Sequence, residues 1–183
     1  MPAIREKFFL EWVSGPSGIA SRIKTYPEGD SATFKKGALV IYDDSEDGVN
    51  EIAVSSGQPT LANGWLGIAL QDASGVSDAD VDVLIPSRDD VFSAPIASDQ
   101  DTLVAPAADG VYGEIFGVIK LSATGGTGTE WVLDSGSADD FAKVIDYDYR
   151  DVARRGGIAN LVAGDRVLFR FLAAALDVTG RRG

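Results

Sequence analysis

Residues 43–48, DDSEDG, have the residue types and the spacing that open a calcium-binding loop, D-x-S-x-D-G. Asp43, Ser45 and Asp47 carry the oxygen ligands that Ca²⁺ prefers. An EF-hand loop also needs a bidentate glutamate at its twelfth position, where this chain has Val54. The flanking segments have the pattern of strands, whereas an EF-hand requires helices. We therefore expect no metal and favour an acidic hairpin turn, with these three residues as the alternative calcium site.

Catalytic chemistry has few candidates in this chain. Histidine and cysteine are both absent, which removes the usual general base near neutral pH, thiolate nucleophiles and the commonest zinc ligands. Asp80 with Asp82, and Asp146 with Asp148, share a strand face in the predicted pattern and could serve as the paired carboxylates of a glycosidase. The same spacing occurs on any strand with a solvent-facing side. We predict that the chain is not an enzyme and uses no cofactor or small-molecule substrate.

Four other side chains have both a binding and a structural interpretation. Trp65 and Trp131 could stack on sugars, although their positions in strands favour the core or an interface. Arg154 and Arg155, followed by two glycines, could bind a carboxylate or phosphate group. The alternative for these arginines is an exposed basic loop that contacts an acidic partner.

Charge is unevenly distributed along the chain. The 183 residues carry a formal net charge of −12, which argues against general binding to nucleic acid or to an anionic membrane. Residues 37–149 hold 21 acidic and three basic side chains, whereas residues 1–36 hold six basic and four acidic ones and residues 150–183 hold seven and three. No apolar run approaches the ~20 residues of a membrane-spanning helix, and the first residues lack the pattern of a secretory signal. These features indicate a soluble protein whose basic ends differ from its acidic body.

Short apolar runs between polar turns predict an all-β fold. Val81, Val83 and Ile85 alternate with Asp80 and Asp82, as in a strand with one buried face. Several such strands with regular turns favour an antiparallel β-barrel or β-sandwich with little helix.

The same alternation assigns faces near the C-terminus. The inward positions of the last strand, RVLFRFL, are predicted to be Val167, Phe169 and Phe171. Arg166 and Arg170 should lie on the opposite face. In the preceding segment, FAKVIDYDYRD, alternation places Asp146 and Asp148 together on the outward face.

Turn signals divide the chain into four parts. Residues 1–36 are predicted to form a flexible N-terminal arm and residues 37–88 a first β meander. Residues 89–172 form a second β segment of the same domain or a second lobe, and residues 173–183 a C-terminal tail. Around the boundary, residues 88–109 should act as a hinge with one or two short strands.

Five segments carry a resemblance to a known family: FKKGALVIYD, GWLGIALQDA, ADVDVLIPS, FAKVIDYDYRD and DRVLFRFL. In their order and spacing, over roughly residues 34–172, the chain resembles the head decoration, or capsid cement, proteins of tailed bacteriophages. The resemblance implies a structural β protein, made in the host cytoplasm, that binds the major capsid protein on the outer surface of the virion and stabilises the expanded shell. It also implies a homotrimer, and it supplies no catalytic residues.

The basic and aromatic residues outside the acidic meander are the predicted contacts with the capsid or with other subunits. They are Arg5, Lys7, Phe8, Phe9, Trp12, Arg154 and Arg155. Buried aromatic and arginine side chains supply much of the energy of protein interfaces. Two alternatives remain at this point: another phage β-barrel, such as a tail-tube or neck subunit, and a carbohydrate-binding β domain.

Overall fold

The computed structural model describes residues 10–15, 22–55, 57–59, 65–106, 111–124, 126, 128–137 and 140–176. Its strands are β1 (Glu11–Ser14), β2 (Ile23–Pro27), β3 (Leu39–Asp43), β4 (Gly48–Glu51), β5 (Val54–Ser55), β6 (Gln58–Pro59), β7 (Gly67–Ala69), β8 (Asp80–Leu84), β9 (Val91–Asp99), β10 (Thr102–Val104), β11 (Ile115–Lys120), β12 (Trp131–Asp134), β13 (Ala142–Tyr147) and β14 (Arg166–Phe171). The helices are α1 (Tyr149–Arg155) and α2 (Ala173–Leu176), with a 3-10 turn at Ile158–Asn160. Strands dominate, so the prediction of an all-β fold with little helix is confirmed. No helix in the described part of the chain is long and apolar enough to cross a membrane.

The first sheet closes on itself. Its strands follow the order β1-β9-β12-β11-β13-β14, β10 also pairs with β9, and β14 pairs back to β9. The circuit β9-β12-β11-β13-β14 is therefore a small barrel, antiparallel except where β12 runs parallel to β9. The second sheet, β2-β8-β7-β3-β4, is wholly antiparallel, and β5 and β6 form a separate small hairpin.

The predicted arm and hinge contain strands of both sheets. Within residues 1–36, β1 pairs with β9 and β2 pairs with β8. Within residues 88–109, β9 is nine residues long and pairs with four other strands, while β10 contains Leu103. Strands around Phe92 and Leu103 were predicted correctly, but β9 is long, lies at the centre of the barrel and is not a hinge.

One hydrophobic core joins the two sheets. It includes Leu39 and Val83 from the second sheet and Phe92, Phe169 and Phe171 from the first. The three inward positions predicted for the last strand are all buried. The ring of Phe171 has the centroids of four other aromatic rings, those of Trp65, Phe92, Phe141 and Phe169, at 4.9–5.3 Å. Such tilted and edge-on contacts add to the free energy gained from burial.

Two tryptophans tie distant parts of the fold together. Trp65 is fully buried and donates a hydrogen bond from Nε1 to the carbonyl oxygen of Ala175, at 3.0 Å. Trp131 is also fully buried, and its Nε1 donates to Oε1 of Glu51, at 2.8 Å. Glu51 also forms an ion pair with Lys120, which joins β4 of the second sheet to the barrel. With no exposed ring face, neither tryptophan can stack on a sugar in this conformation.

Alternation fails at the end of β13. The register with β14 shifts between Val144 and Asp146, so Ile145 is an extra residue, and α1 begins two residues after Tyr147. As a result Asp146 is exposed whereas Asp148 is fully buried and caps α1. The prediction that the two carboxylates share an outward face is wrong, because the strand ends at Tyr147 and Asp148 is buried as the N-cap of α1.

Candidate functional site

A groove of about 400 Å³ lies on the outside of the barrel, where β13 pairs with β14. We call it the basic groove; its lining residues are Arg88, Tyr112, Gly113, Lys143, Val144, Ile145, Arg170, Phe171, Leu172 and Ala173. Lys143 lies between two buried neighbours on β13, and Arg170 lies between two buried neighbours on β14. Strand alternation therefore directs both cations outward. No acidic side chain is among the described residues that line the groove.

Two of these cations face each other across the sheet. Lys143 and Arg170 are register partners on the antiparallel pair β13–β14. Side chains at such positions have their Cβ atoms ~5 Å apart, and like charges there reduce stability. On its other side Lys143 is in register with Ile115 of β11, which is 42% exposed. The outer face thus holds an apolar residue and two mutually repelling cations in one row.

An exposed aromatic ring stands beside this row. Tyr112 is 72% exposed, an unusual position for a large aromatic side chain. Its turn is fixed to β13, because the amide of Gly113 donates to the carbonyl of Val144 at 2.9 Å and the amide of Val144 donates to the carbonyl of Glu114 at 3.0 Å. Gly113 has a φ of 86°, which favours glycine. Tyr112 is therefore presented by a hydrogen-bonded turn at the edge of the basic groove.

The groove stands out when all the cations are compared. The described part of the chain contains twelve lysines and arginines. Seven of them make ion pairs: Arg22, Lys35, Lys120, Arg150, Arg154, Arg155 and Arg166. The other five make none within the described residues: Lys24, Lys36, Arg88, Lys143 and Arg170. Three of these five line the basic groove, which concentrates unpaired positive charge there.

A second cluster of charges lies beneath β1 and α1. Arg166 is nine-tenths buried and donates from Nε to Oγ of Ser93, at 2.8 Å. Ser93 in turn donates to Oδ2 of the fully buried Asp148, at 2.7 Å. Arg150 donates from Nε to Asp148 at 2.9 Å and from Nη1 to Glu11 at 2.9 Å. This arginine–carboxylate cluster therefore attaches β1 to the barrel and to the start of α1.

The cluster lines a cavity of about 520 Å³ between β1, α1 and the second sheet. Its other walls are apolar and include Leu10, Ile68, Leu84 and Phe92. The cluster's carboxylates accept hydrogen bonds from neighbouring arginines. Its evident role is structural, because buried charges must be paired.

Arg154 and Arg155, two of the predicted contact residues, bind the same buried carboxylate. Arg154 pairs with Asp151 at 2.8 Å and also with Asp165, and Arg155 donates from Nε to Asp165 at 2.8 Å. Asp165 is 1% exposed and also accepts a hydrogen bond from the amide of Val162. These ion pairs join the C-terminal end of α1 to the loop that follows it. That the two arginines contact a partner stays a prediction.

Trp12 is the one N-terminal contact residue that the structure describes. It is half-buried, packs against the core and donates from Nε1 to Oδ1 of Asp90, at 3.2 Å. Asp90 is fully buried and also pairs with Arg22. The remaining predicted contacts, Arg5, Lys7, Phe8 and Phe9, lie outside the described residues. Trp12 and its neighbour Leu10, which is 4% exposed, are integral to the fold.

The acidic turn, residues 43–48, forms the tight connection between β3 and β4. Oδ1 of Asp43 accepts hydrogen bonds from the amide and the hydroxyl of Ser45, at 2.9 and 2.6 Å. Asp47 accepts a hydrogen bond from the hydroxyl of Tyr42. Within the described residues no group of three acidic side chains is arranged to hold a metal ion. The oxygen atoms of the alternative calcium site are used to shape the turn.

The arginine–carboxylate cluster should make stability depend on pH. Burial alone would raise the pKa of Asp148, but hydrogen bonds from Arg150 and Ser93 outweigh it and lower this pKa to about 2. Burial is likewise outweighed by Arg22 at Asp90 and by Arg155 at Asp165, so both pKa values lie below the ordinary one. A carboxyl group with a lowered pKa stabilises the fold above its unfolded-state pKa and loses that effect as the pH falls.

We therefore expect the free energy of unfolding to fall as the pH is lowered from about 5 to about 2. Asp148 alone should account for about 2 kcal/mol of the loss. Urea unfolding measured across this range tests the expectation, and Asp148→Asn should show a shallower dependence than the unmodified chain. A free energy of unfolding that does not change over this range would contradict it.

Comparisons with family models, with curated proteins and with solved structures find no significant match. The resemblance to capsid decoration proteins therefore rests on the five sequence segments alone. That Trp12 and the two arginines of α1 contact a partner stays a prediction, and the sequence did not single out Arg88, Tyr112 or Lys143. Alternation directed Arg170 outward, but only the register of β13 with β14 shows that Lys143 is its neighbour.

Proposed function

We propose that this chain is a structural protein of a tailed-phage virion that binds the outer surface of the capsid and stabilises the expanded shell. Its partner is the major capsid protein. The five segments that resemble decoration proteins support the proposal, because they contribute β3, β7, β8, β13 and β14, the strands that supply much of the shared core.

The observation that carries the proposal is the distribution of charge over the surface. None of the nine acidic side chains within residues 37–87 is buried, and this stretch contains no lysine or arginine. The unpaired cations of the basic groove lie instead on the outer face of the barrel. A body that is acidic on one sheet and basic at localised surfaces suits a protein that attaches to a large assembly.

Stabilisation of the shell would follow from mass action. A protein that binds only the expanded state lowers the free energy of that state in proportion to the logarithm of its concentration relative to its dissociation constant. If several copies are linked, weak contacts of each copy add through avidity. No catalytic step is required.

The binding prediction is tested by co-sedimentation of the purified protein with undecorated expanded heads of the phage that encodes it. Residues 1–9 should be needed, because they hold Arg5, Lys7, Phe8 and Phe9. The truncation has to end before Leu10, since Leu10 and Trp12 pack against the core. We expect the full chain to sediment with expanded heads, and the truncated chain to bind at least about tenfold more weakly with an unchanged melting temperature.

Unexpanded heads provide the matched control for the first part of this test. They should bind less protein, because selective binding to the expanded state is what stabilises it. Failure of the full chain to bind expanded heads contradicts the proposed function. Normal binding by the truncated chain contradicts only the placement of the contact in residues 1–9.

A further inference from the structure

Three cationic side chains of the basic groove make no ion pair within the described residues. The chain carries 28 acidic side chains against 16 basic ones, so carboxylates are abundant. Yet Arg88, Lys143 and Arg170 line one groove with no described carboxylate in its lining, and Lys143 and Arg170 repel each other as register partners. An anionic group from another molecule would offset this repulsion and would contact all three cationic side chains.

The apolar side chains in and beside the groove indicate that its ligand is a polypeptide rather than a small inorganic anion. Tyr112 is 72% exposed and Ile115, beside Lys143, is 42% exposed. Leu172 adds a half-buried apolar side chain to the lining. Aromatic and arginine side chains of this kind are enriched at the centres of protein interfaces.

The chain itself contains a segment of matching chemistry, the acidic turn. It presents Asp43, Asp44, Glu46 and Asp47 within five residues. Its shape is fixed in advance: Glu46 accepts hydrogen bonds from the side-chain amide of Asn50 at 2.6 Å and from the amide of Asp30 at 3.2 Å, in addition to the bonds of Asp43 and Asp47. A turn that is already ordered loses little entropy when it binds.

We propose that the basic groove binds the acidic turn of a second copy of this chain. The groove lies on the first sheet and the turn connects β3 to β4 of the second sheet. Each copy therefore offers a groove to one neighbour and a turn to another. Such a heterologous contact closes into a ring when the rotation between copies permits. The inference concerns the purified chain alone, so it does not depend on binding to a capsid.

Charge reversal tests the groove. K143E/R170E changes the net charge from −12 to −16, since each substitution adds two negative charges. K24E/K36E produces the same net charge with two cations that make no ion pair in the described residues and lie outside the groove. Sedimentation equilibrium should show that the unmodified chain and K24E/K36E self-associate, with dissociation constants within about threefold of each other, and that K143E/R170E associates at least about tenfold more weakly.

A charge reversal in the acidic turn tests whether this turn is the segment that binds the groove. D44K/E46K should also fail to self-associate, but mixed with K143E/R170E it should form complexes. The unmodified groove of D44K/E46K can bind the unmodified turn of K143E/R170E, and the reversed turn also matches the reversed groove. Thermal unfolding confirms that each variant is folded. A monomeric unmodified chain overturns the proposal. Equal weakening of K24E/K36E and K143E/R170E overturns it as well, since net charge then explains the effect, and so does the absence of complexes in the mixture.

Discussion

Phe171→Ala should lower the free energy of unfolding by about 3–5 kcal/mol. Phe171 is 3% exposed and its ring contacts four other aromatic rings, so truncation leaves a cavity that both sheets border. Urea unfolding followed by tryptophan fluorescence measures the change, because Trp65 lies against this ring.

Tyr149→Ala is the matched control, since Tyr149 is an aromatic residue with 67% exposure. Its substitution should change the free energy of unfolding by less than about 0.5 kcal/mol. Equal effects of the two substitutions would mean that the aromatic cluster does not hold the sheets together.

Asp148→Ala should cost a similar amount, about 3–5 kcal/mol, because it removes the buried carboxylate that pairs with Arg150 and breaks the hydrogen-bonded network that includes the buried Arg166. Asp148 is fully buried, caps α1 through the amide of Arg150 and accepts a hydrogen bond from Ser93, which also binds Arg166. The free energy of unfolding at neutral pH measures the loss.

Asp146→Ala makes the same chemical change two residues earlier at an exposed position, and it should cost less than about 0.5 kcal/mol. The double variant Asp148→Ala/Arg166→Met should lose less than the sum of its two single variants, because the residues belong to one network. Additive losses would show that Arg166 and Asp148 act independently.

Alternation of residue types was enough to predict the β fold. It also placed Val81 and Val83, and the three apolar residues of the last strand, in the core. This works because a strand with one buried face must repeat with period two. The pattern carries no information about which strands pair, so the barrel circuit through β9 could not be predicted.

Local irregularities account for the main errors. Pro95 indicates a break in the sequence, but it lies inside β9, where the partners change from β14 to β10 and β12. The end of β13 at Tyr147 breaks the alternation, and Asp148 is buried as the N-cap of α1. Both events depend on contacts with strands far away in the chain.

The sequence also could not separate structural from exposed charges. Seven acidic side chains are buried among the described residues: Glu28, Asp90, Glu130, Asp134, Asp148, Asp151 and Asp165. All seven lie outside residues 37–87, although this stretch contains nine acidic side chains and no lysine or arginine. In the same way residue type alone does not show that Arg154 and Arg155 bind Asp165. Nor does it show that Lys143 and Arg170 are register partners that make no ion pair within the described residues. Burial and pairing are properties of the tertiary structure, not of residue type.

Electron cryomicroscopy tests most directly the proposal that this protein binds the outside of a phage capsid. Purified protein is mixed with undecorated expanded heads, which are imaged beside heads without it. The proposal predicts added density on the outer surface at three-fold or quasi-three-fold positions of the lattice. Bare shells at saturating protein concentration would contradict it.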